Sequence, residues 1–325
     1  MQKEVGIDVL ERSNEVKTKG VLYRRAKSKY VSDEIAQDLI RVSKSPLHAA
    51  YCRTLECSGV LMQDGKKITS SYCNGRWCIT CNRMRTAKLI NGYKSQLMTM
   101  YDLQFVTLTV RSVPWFSLGM TVTRMGKQMR DIKKQLLKMG YPTNGVRKLE
   151  ITYDDATGLY HPHYHLMISG KTNADMVVLY WMLAFPNETN RKAQDVRAFS
   201  GNEHNLVELF KYSTKMIASS TKKVTNQGRR EKIKTIAKTP AFALDRIFRA
   251  LYMRRTFQAM GIVKQVSEDI EELQSQLYEE LNFSQDTRIW NWAGKYNEAD
   301  WMDIEGELLT GYVVSDSLKL ILNTS

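Results

Sequence analysis

The stretch "VRKLEITYDDATGLYHPHYHLMI", residues 146 to 168, decides the reading of this chain. Two runs of β-branched and apolar residues, 146–153 and 163–168, flank the turn-forming "DDATG", the pattern of a β-hairpin. Pro162 lacks a ladder donor, so the second strand is expected to start just after it or to lie at an edge. Side chains two apart on a strand share a face, so His163 and His165 point one way and Tyr164 and Leu166 the other. The intervening proline leaves the direction of His161 open. If the hairpin turns about Ala156 and Thr157, Glu150 lies opposite His163, within the roughly 4.5 to 5.5 Å of facing residues. A slip of one residue would turn Glu150 to the other face. Two imidazoles and a carboxylate then form a grip for a divalent ion. The same donor set occurs in non-haem iron oxygenases, but beside a phosphate backbone it suits Mg²⁺ or Mn²⁺.

Charge favours the phosphate. The net charge is +14, and residues 262–325 carry 13 acidic against 4 basic side chains, so residues 1–261 carry net +23. Such a field points to a polyanionic partner, of which nucleic acid is the commonest, and an oxygenase has little use for it. Basic clusters fall at 17–30, at 222–238 and around Arg246, Arg249, Arg254 and Arg255.

All five cysteines, Cys52, Cys57, Cys73, Cys78 and Cys81, fall within thirty residues. A tight group containing "CITC", in a chain with no apolar export signal, suggests tetrahedral Zn²⁺ rather than disulfides. Cys57, Cys73, Cys78 and Cys81 are the expected ligands, with Cys52 the alternative to Cys57 or Cys73. A group of reduced core cysteines is the other reading. The longest apolar run, "MVVLYWMLAF" at 176–185, is shorter than the roughly 20 residues of a spanning helix. A cytoplasmic protein with no membrane partner is expected.

By composition and periodicity the chain divides into a basic segment (1–50), a cysteine module with a mixed strand-and-helix domain (51–220) and a helical region with an acidic tail (221–325). "LQFVTLTV" at 103–110 reads as a strand. Val122, Met125, Met129, Ile132, Leu136 and Met139 mark an amphipathic helix by their spacing of three and four. Further helices are expected near 173–185, 203–220, 240–259 and 264–282. Within "NLVELFKYSTKMI" (205–217), Leu206, Leu209, Phe210, Ser213, Met216 and Ile217 form one helical stripe. On another side Glu208, Tyr212 and Lys215 stand at i, i+4 and i+7, close enough to meet. A phenol between an acid and a base suits a nucleophile.

These motifs, in this order, resemble the rolling-circle replication initiator (Rep) proteins of small bacterial plasmids, a branch of the HUH single-strand endonucleases. A "FVTLTV" strand opens the catalytic domain, "HYHLMI" matches the metal motif, and Tyr212 with Lys215 matches the nucleophile motif. Glu208, one helical turn before the tyrosine, matches the subgroup with one catalytic tyrosine plus a glutamate. A cysteine-rich segment before the first strand looks like that subgroup too.

The resemblance covers about half the chain, roughly 55–220. It implies an α+β fold: an antiparallel sheet of about five strands flanked by helices, with an N-terminal four-cysteine zinc module and a helical C-terminal region. It implies attack by Tyr212 on single-stranded or extruded origin DNA, leaving a 5′-phosphotyrosine and a free 3′-OH, with Lys215 assisting and Glu208 ending the reaction. His163, His165 and Glu150 would hold the catalytic ion. A host helicase and polymerase are expected partners, since no "GxxxxGK[ST]" occurs. A transposase or relaxase of the same superfamily and a non-catalytic zinc-dependent DNA-binding regulator are the rival readings.

Overall fold

The computed structural model describes residues 4–65, 67–199, 209–210, 216–226, 229–270, 287–294 and 299–323. The fold is α+β, with antiparallel sheets of four and five strands and a two-stranded hairpin. The chain divides into two compact units that cut across a linear division at 50 and 220. One gathers Met1–Asn82, Ala218–Lys238 and Asp269–Ser325; the other holds Arg83–Ile217 and Thr239–Glu268.

The first unit opens with helix α1 (Glu4–Ile40), followed by α2 (His48–Glu56). The sequence showed only weak periodicity there, and Lys29 explains why. Leu22, Ala26, Ile35, Ala36 and Leu39 are buried at helical spacing, but the stripe is interrupted by the buried Ser28, Lys29 and Ser32. Lys29 Nζ reaches Asp33 Oδ1 at 2.5 Å and the Leu55 carbonyl at 2.8 Å, partners that make a buried ammonium tolerable. Burial pushes Asp33 up to about 6, against the pull of Lys29.

Strands β1 (Val60–Asp64) and β2 (Lys67–Ser70) make a hairpin in the same unit. On its other edge β1 pairs with β10 (Arg288–Trp292), which in turn pairs with β11 (Trp301–Met302). The acidic C-terminal region is therefore built into a sheet. Asp300 is buried and accepts from the backbone N–H groups of Thr310 and Gly311 at 2.9 and 2.6 Å. Asp303 accepts from Glu305 and Glu307 and pairs with Arg288 at 3.2 Å. Expected to be helical, 221–325 instead mixes strands with helices α6 (Ala241–Leu251) and α7 (Asp316–Asn323). The basic run at 222–238 falls in the hairpin of β7 (Ile217–Asn226) and β8 (Arg229–Lys238).

The second unit is built on a sheet of order β6-β3-β5-β4-β9, antiparallel throughout. Its strands are β3 (Leu103–Thr109), β4 (Gly145–Asp154), β5 (Leu159–Ser169), β6 (Asp195–Ala198) and β9 (Phe257–Met260). One face packs against α4 (Trp115–Lys138), α5 (Lys171–Ala184) and α6, burying Val106, Leu108, Leu149, Ile151, Tyr164 and Leu166 among Met125, Met129, Ile132 and Trp181. Truncating Met129 there should cost about 2–5 kcal/mol. The expected amphipathic stripe of α4 is present, except that Met139 caps the helix in solvent. The other face carries a smaller core of Val146, Met167 and Phe257 with Leu89, Tyr93 and Leu97 of α3 (Ile79–Met98).

Two strand and helix limits differ from expectation. Strand β5 begins three residues before Pro162. Tyr160 bonds Val113 on the β3 side, and by alternation Pro162 faces the same side just past the end of β3, where no donor is required. The helix expected at 240–259 stops at Leu251, and Phe257–Met260 becomes the edge strand β9 beside β4. Residues 264–270 are not helical, and of 203–220 only 209–210, in helical conformation, and 216–220, largely in β7, are described.

Candidate active site and zinc centre

The hairpin register is the expected one: Glu150 pairs with His163 across β4 and β5, two of the three inner strands of the five-stranded sheet. His163 and His165 share a face, their rings 4.8 Å apart and nearly perpendicular. Glu150 Oε2 lies 3.5 Å from His165 Nε2 and 4.0 Å from His163 Nε2. One ligand atom from each of the three residues falls within 4.8 Å of the others, and Glu150 and His163 are buried.

Neighbouring groups fix the imidazoles for that task. His163 Nδ1 is 3.1 Å from the His161 carbonyl oxygen, which only accepts, so Nδ1 carries the proton and Nε2 keeps its lone pair. His165 Nδ1 meets the Thr107 hydroxyl at 3.2 Å, and the Phe105 ring packs beside the imidazole. Burial pushes His163 down to about 4 despite the pull of Glu150, keeping the ring neutral near pH 7 as a ligand must be. His161 stacks on His163 and pairs with Ser112 Oγ at 3.3 Å, outside the ligand group.

Lys148 was missed in the sequence. It is 3 % exposed, and its Nζ stands 3.1 Å from the same Glu150 Oε2 that faces both imidazoles. The signal was present in "KLE": two residues before Glu150 on a strand, Lys148 must share its face.

Tyr212, Glu208 and Lys215 lie outside the described residues. Of the expected helical stripe, Leu209, Phe210 and Met216 are buried, whereas Ile217 opens strand β7 instead of continuing a helix. Phe210 stacks on Tyr93 at 5.5 Å, and its carbonyl accepts from Thr86 Oγ1 at 3.2 Å. Both belong to the core on the sheet face that bears Glu150, His163 and His165.

The four expected cysteines form the second cluster, in the other unit. Sγ separations are 3.5 Å for Cys57–Cys81, 3.6 Å for Cys57–Cys78 and 3.7 Å for Cys73–Cys81. Four sulfurs bound tetrahedrally at about 2.3 Å would stand about 3.8 Å apart, so the donor set fits zinc. The N–H groups of Cys73, Gly75 and Cys81 point at Cys57, Cys73 and Cys78 sulfurs, respectively, and would stabilise thiolates. Hydrogen bonds from Cys57, Cys78 and Cys81 hold Cys73 far below the ordinary thiol range, while Cys57 is pushed far above it by its bond to Cys73 and by burial. Cys52 stands apart, 3.8 Å from His48 Nδ1.

Residues 65–173 match the family model described as replication protein. That stretch resembles a replication-protein domain. It holds Cys73, Cys78, Cys81, Glu150, His163 and His165, whereas Cys57, Glu208, Tyr212 and Lys215 fall outside it. A curated relative named Protein rep from Staphylococcus aureus is 27% identical over 168 residues, 49% of this chain and 69% of that one. A second Protein rep, from Streptococcus pneumoniae serotype 2 (strain D39 / NCTC 7466), is 26% identical over 118 residues, 31% of this chain and 34% of the relative. No solved structure matches. The chain thus resembles replication proteins, and the matched stretch contains both strands of the Glu150–His163 hairpin. No helix among the described residues is long and apolar enough to cross a membrane.

Proposed function

We propose that this protein initiates plasmid replication by nicking origin DNA. The observation that carries the reading is the hairpin register, which sets Glu150 beside His163 and His165 within the stretch that resembles a replication-protein domain. Mg²⁺ or Mn²⁺ held by His163, His165 and Glu150 would polarise a phosphoryl oxygen of the scissile phosphate. Lys148 keeps the Glu150 carboxylate oriented towards the imidazoles.

In the proposed reaction the phenolic oxygen of Tyr212 forms a bond to phosphorus as the P–O3′ bond breaks. A 5′-phosphotyrosine and a free 3′-OH result, the latter extended by a host polymerase behind a host helicase. Lys215, three residues after Tyr212 in the sequence, would favour its phenolate, scarce at neutral pH with an ordinary pKa near 10. Glu208 would take a proton from water when the link is resolved. The catalytic work is assigned to 51–220, in the cytoplasm, with single-stranded or extruded origin DNA as substrate. Cys57, Cys73, Cys78 and Cys81 would hold Zn²⁺ in a closed structural site.

The test is incubation of the full chain with a single-stranded origin oligonucleotide and Mn²⁺, followed by denaturing electrophoresis. A covalent adduct is expected, and its absence together with uncut DNA would remove the nicking reading.

A further inference from the structure

A group of cationic side chains between α4 and the sheet points to a second anion site, independent of the nicking reading. Arg147 on β4 alternates with Lys148, so it faces α4 rather than the ion-binding face. It is 8 % exposed. Its Nη2 donates to Gln258 Oε1 at 2.5 Å, and its guanidinium stands 4.5 Å from the centre of the Tyr164 ring. Among the described residues no carboxylate pairs with it, and its neighbours are further cations. Burial lowers Arg147, and the charge of Arg130 adds to that effect. Lys133 is lowered by burial and then by Arg147. On the same side, Arg254 Nη2 donates to Thr123 Oγ1 of α4 at 2.8 Å.

Thr123, Gly126, Arg130 and Lys133 follow one stripe of α4 at spacings of three and four. A Cβ at Gly126 would lie 3.8 Å from Arg130 Nη1 and 4.0 Å from the Tyr164 hydroxyl, so a guanidinium and a phenol converge beside this glycine. Collecting like charges around a buried arginine is costly without an anion. Guanidinium forks and a hydroxyl supply the donors that tetrahedral oxyanions accept.

We propose that Arg130, Lys133, Arg147, Arg254 and Tyr164 bind a phosphate oxyanion beside Gly126. The chemistry is shared by a phosphodiester of the DNA backbone and by a free phosphate group.

The test is calorimetric titration of the full chain with inorganic phosphate at constant ionic strength. Wild type should bind phosphate saturably, and Gly126→Leu, which crowds Arg130 and the Tyr164 hydroxyl and keeps every charge, should weaken binding about tenfold or more, a loss of about 1.4 kcal/mol. Should Gly126→Leu fail to fold, Arg130→Gln with Lys133→Gln reads the same loss, since Arg130 is exposed and Lys133 partly so. Competition with a short oligothymidylate separates the sources: displacement of phosphate assigns the site to the DNA backbone, and simultaneous binding assigns it to a free phosphate. Absence of saturable phosphate binding in wild type, or unchanged affinity in the folded variants, overturns the proposal.

Discussion

Glu150 and His163 face one another across adjacent strands, the carboxylate oxygen 4.0 Å from an imidazole nitrogen whose ring partner carries the proton. Because that nitrogen keeps its lone pair, the arrangement is ready for a cation before one arrives. The consequences can be measured separately.

Replacing His163 and His165 together by alanine should abolish cleavage yet leave DNA affinity within a few-fold of wild type. On the proposed reading, affinity would rest on the basic field, whereas the imidazoles would serve the chemical step. Nicking and gel-shift assays on one preparation check this, and wild-type nicking by the double variant would remove the ion site.

The depressed His163 group gives a pH signature. Its folded value is about 4 against an ordinary 6.5, so between these values the unfolded chain takes up a proton that the folded chain refuses. Stability from this group is fully present above pH 6.5 and is lost as pH falls towards 4, by at most about 3 kcal/mol. In EDTA, urea unfolding of His163→Asn should vary less over this range than wild type. Parallel curves would contradict the assignment.

Lys148→Met should destabilise the metal-free protein by about 3 kcal/mol, because it leaves the buried Glu150 carboxylate without its ammonium. Mn²⁺ should recover part of that loss. Equal melting of variant and wild type in EDTA would show that the pair contributes nothing.

The cysteine cluster should carry about one zinc per chain that survives mild EDTA, and Cys81→Ser should lose it while Cys52→Ser should not. Elemental analysis of both variants decides. A disulfide in the native protein would contradict the site.

What the sequence revealed followed the range of the interactions. Glu150 and His163 were legible because alternation and a short turn fix a hairpin register locally. Pairing of β1 with β10 was not, since the partner strands lie more than two hundred residues apart and neither is longer than five residues. Lys29 hid α1 because a buried ammonium breaks an apolar stripe, and its partner Leu55 carbonyl lies on another helix. The helix after Pro240 was drawn too long because nothing in "MRRTFQAM" marks where helix gives way to an edge strand. Tyr212, Glu208 and Lys215 rest on helical spacing and on resemblance, with only the burial of Leu209 and Phe210 added by the fold.

The most direct test of the central claim is mass spectrometry of the protein after reaction with a single-stranded origin oligonucleotide, comparing wild type, Tyr212→Phe and Glu208→Ala. Wild type and Glu208→Ala should carry a nucleotide on Tyr212, the latter accumulating multimeric products because the link is not resolved by water. Tyr212→Phe should carry none. A covalent nucleotide on any other residue, or an adduct persisting in Tyr212→Phe, would contradict the account.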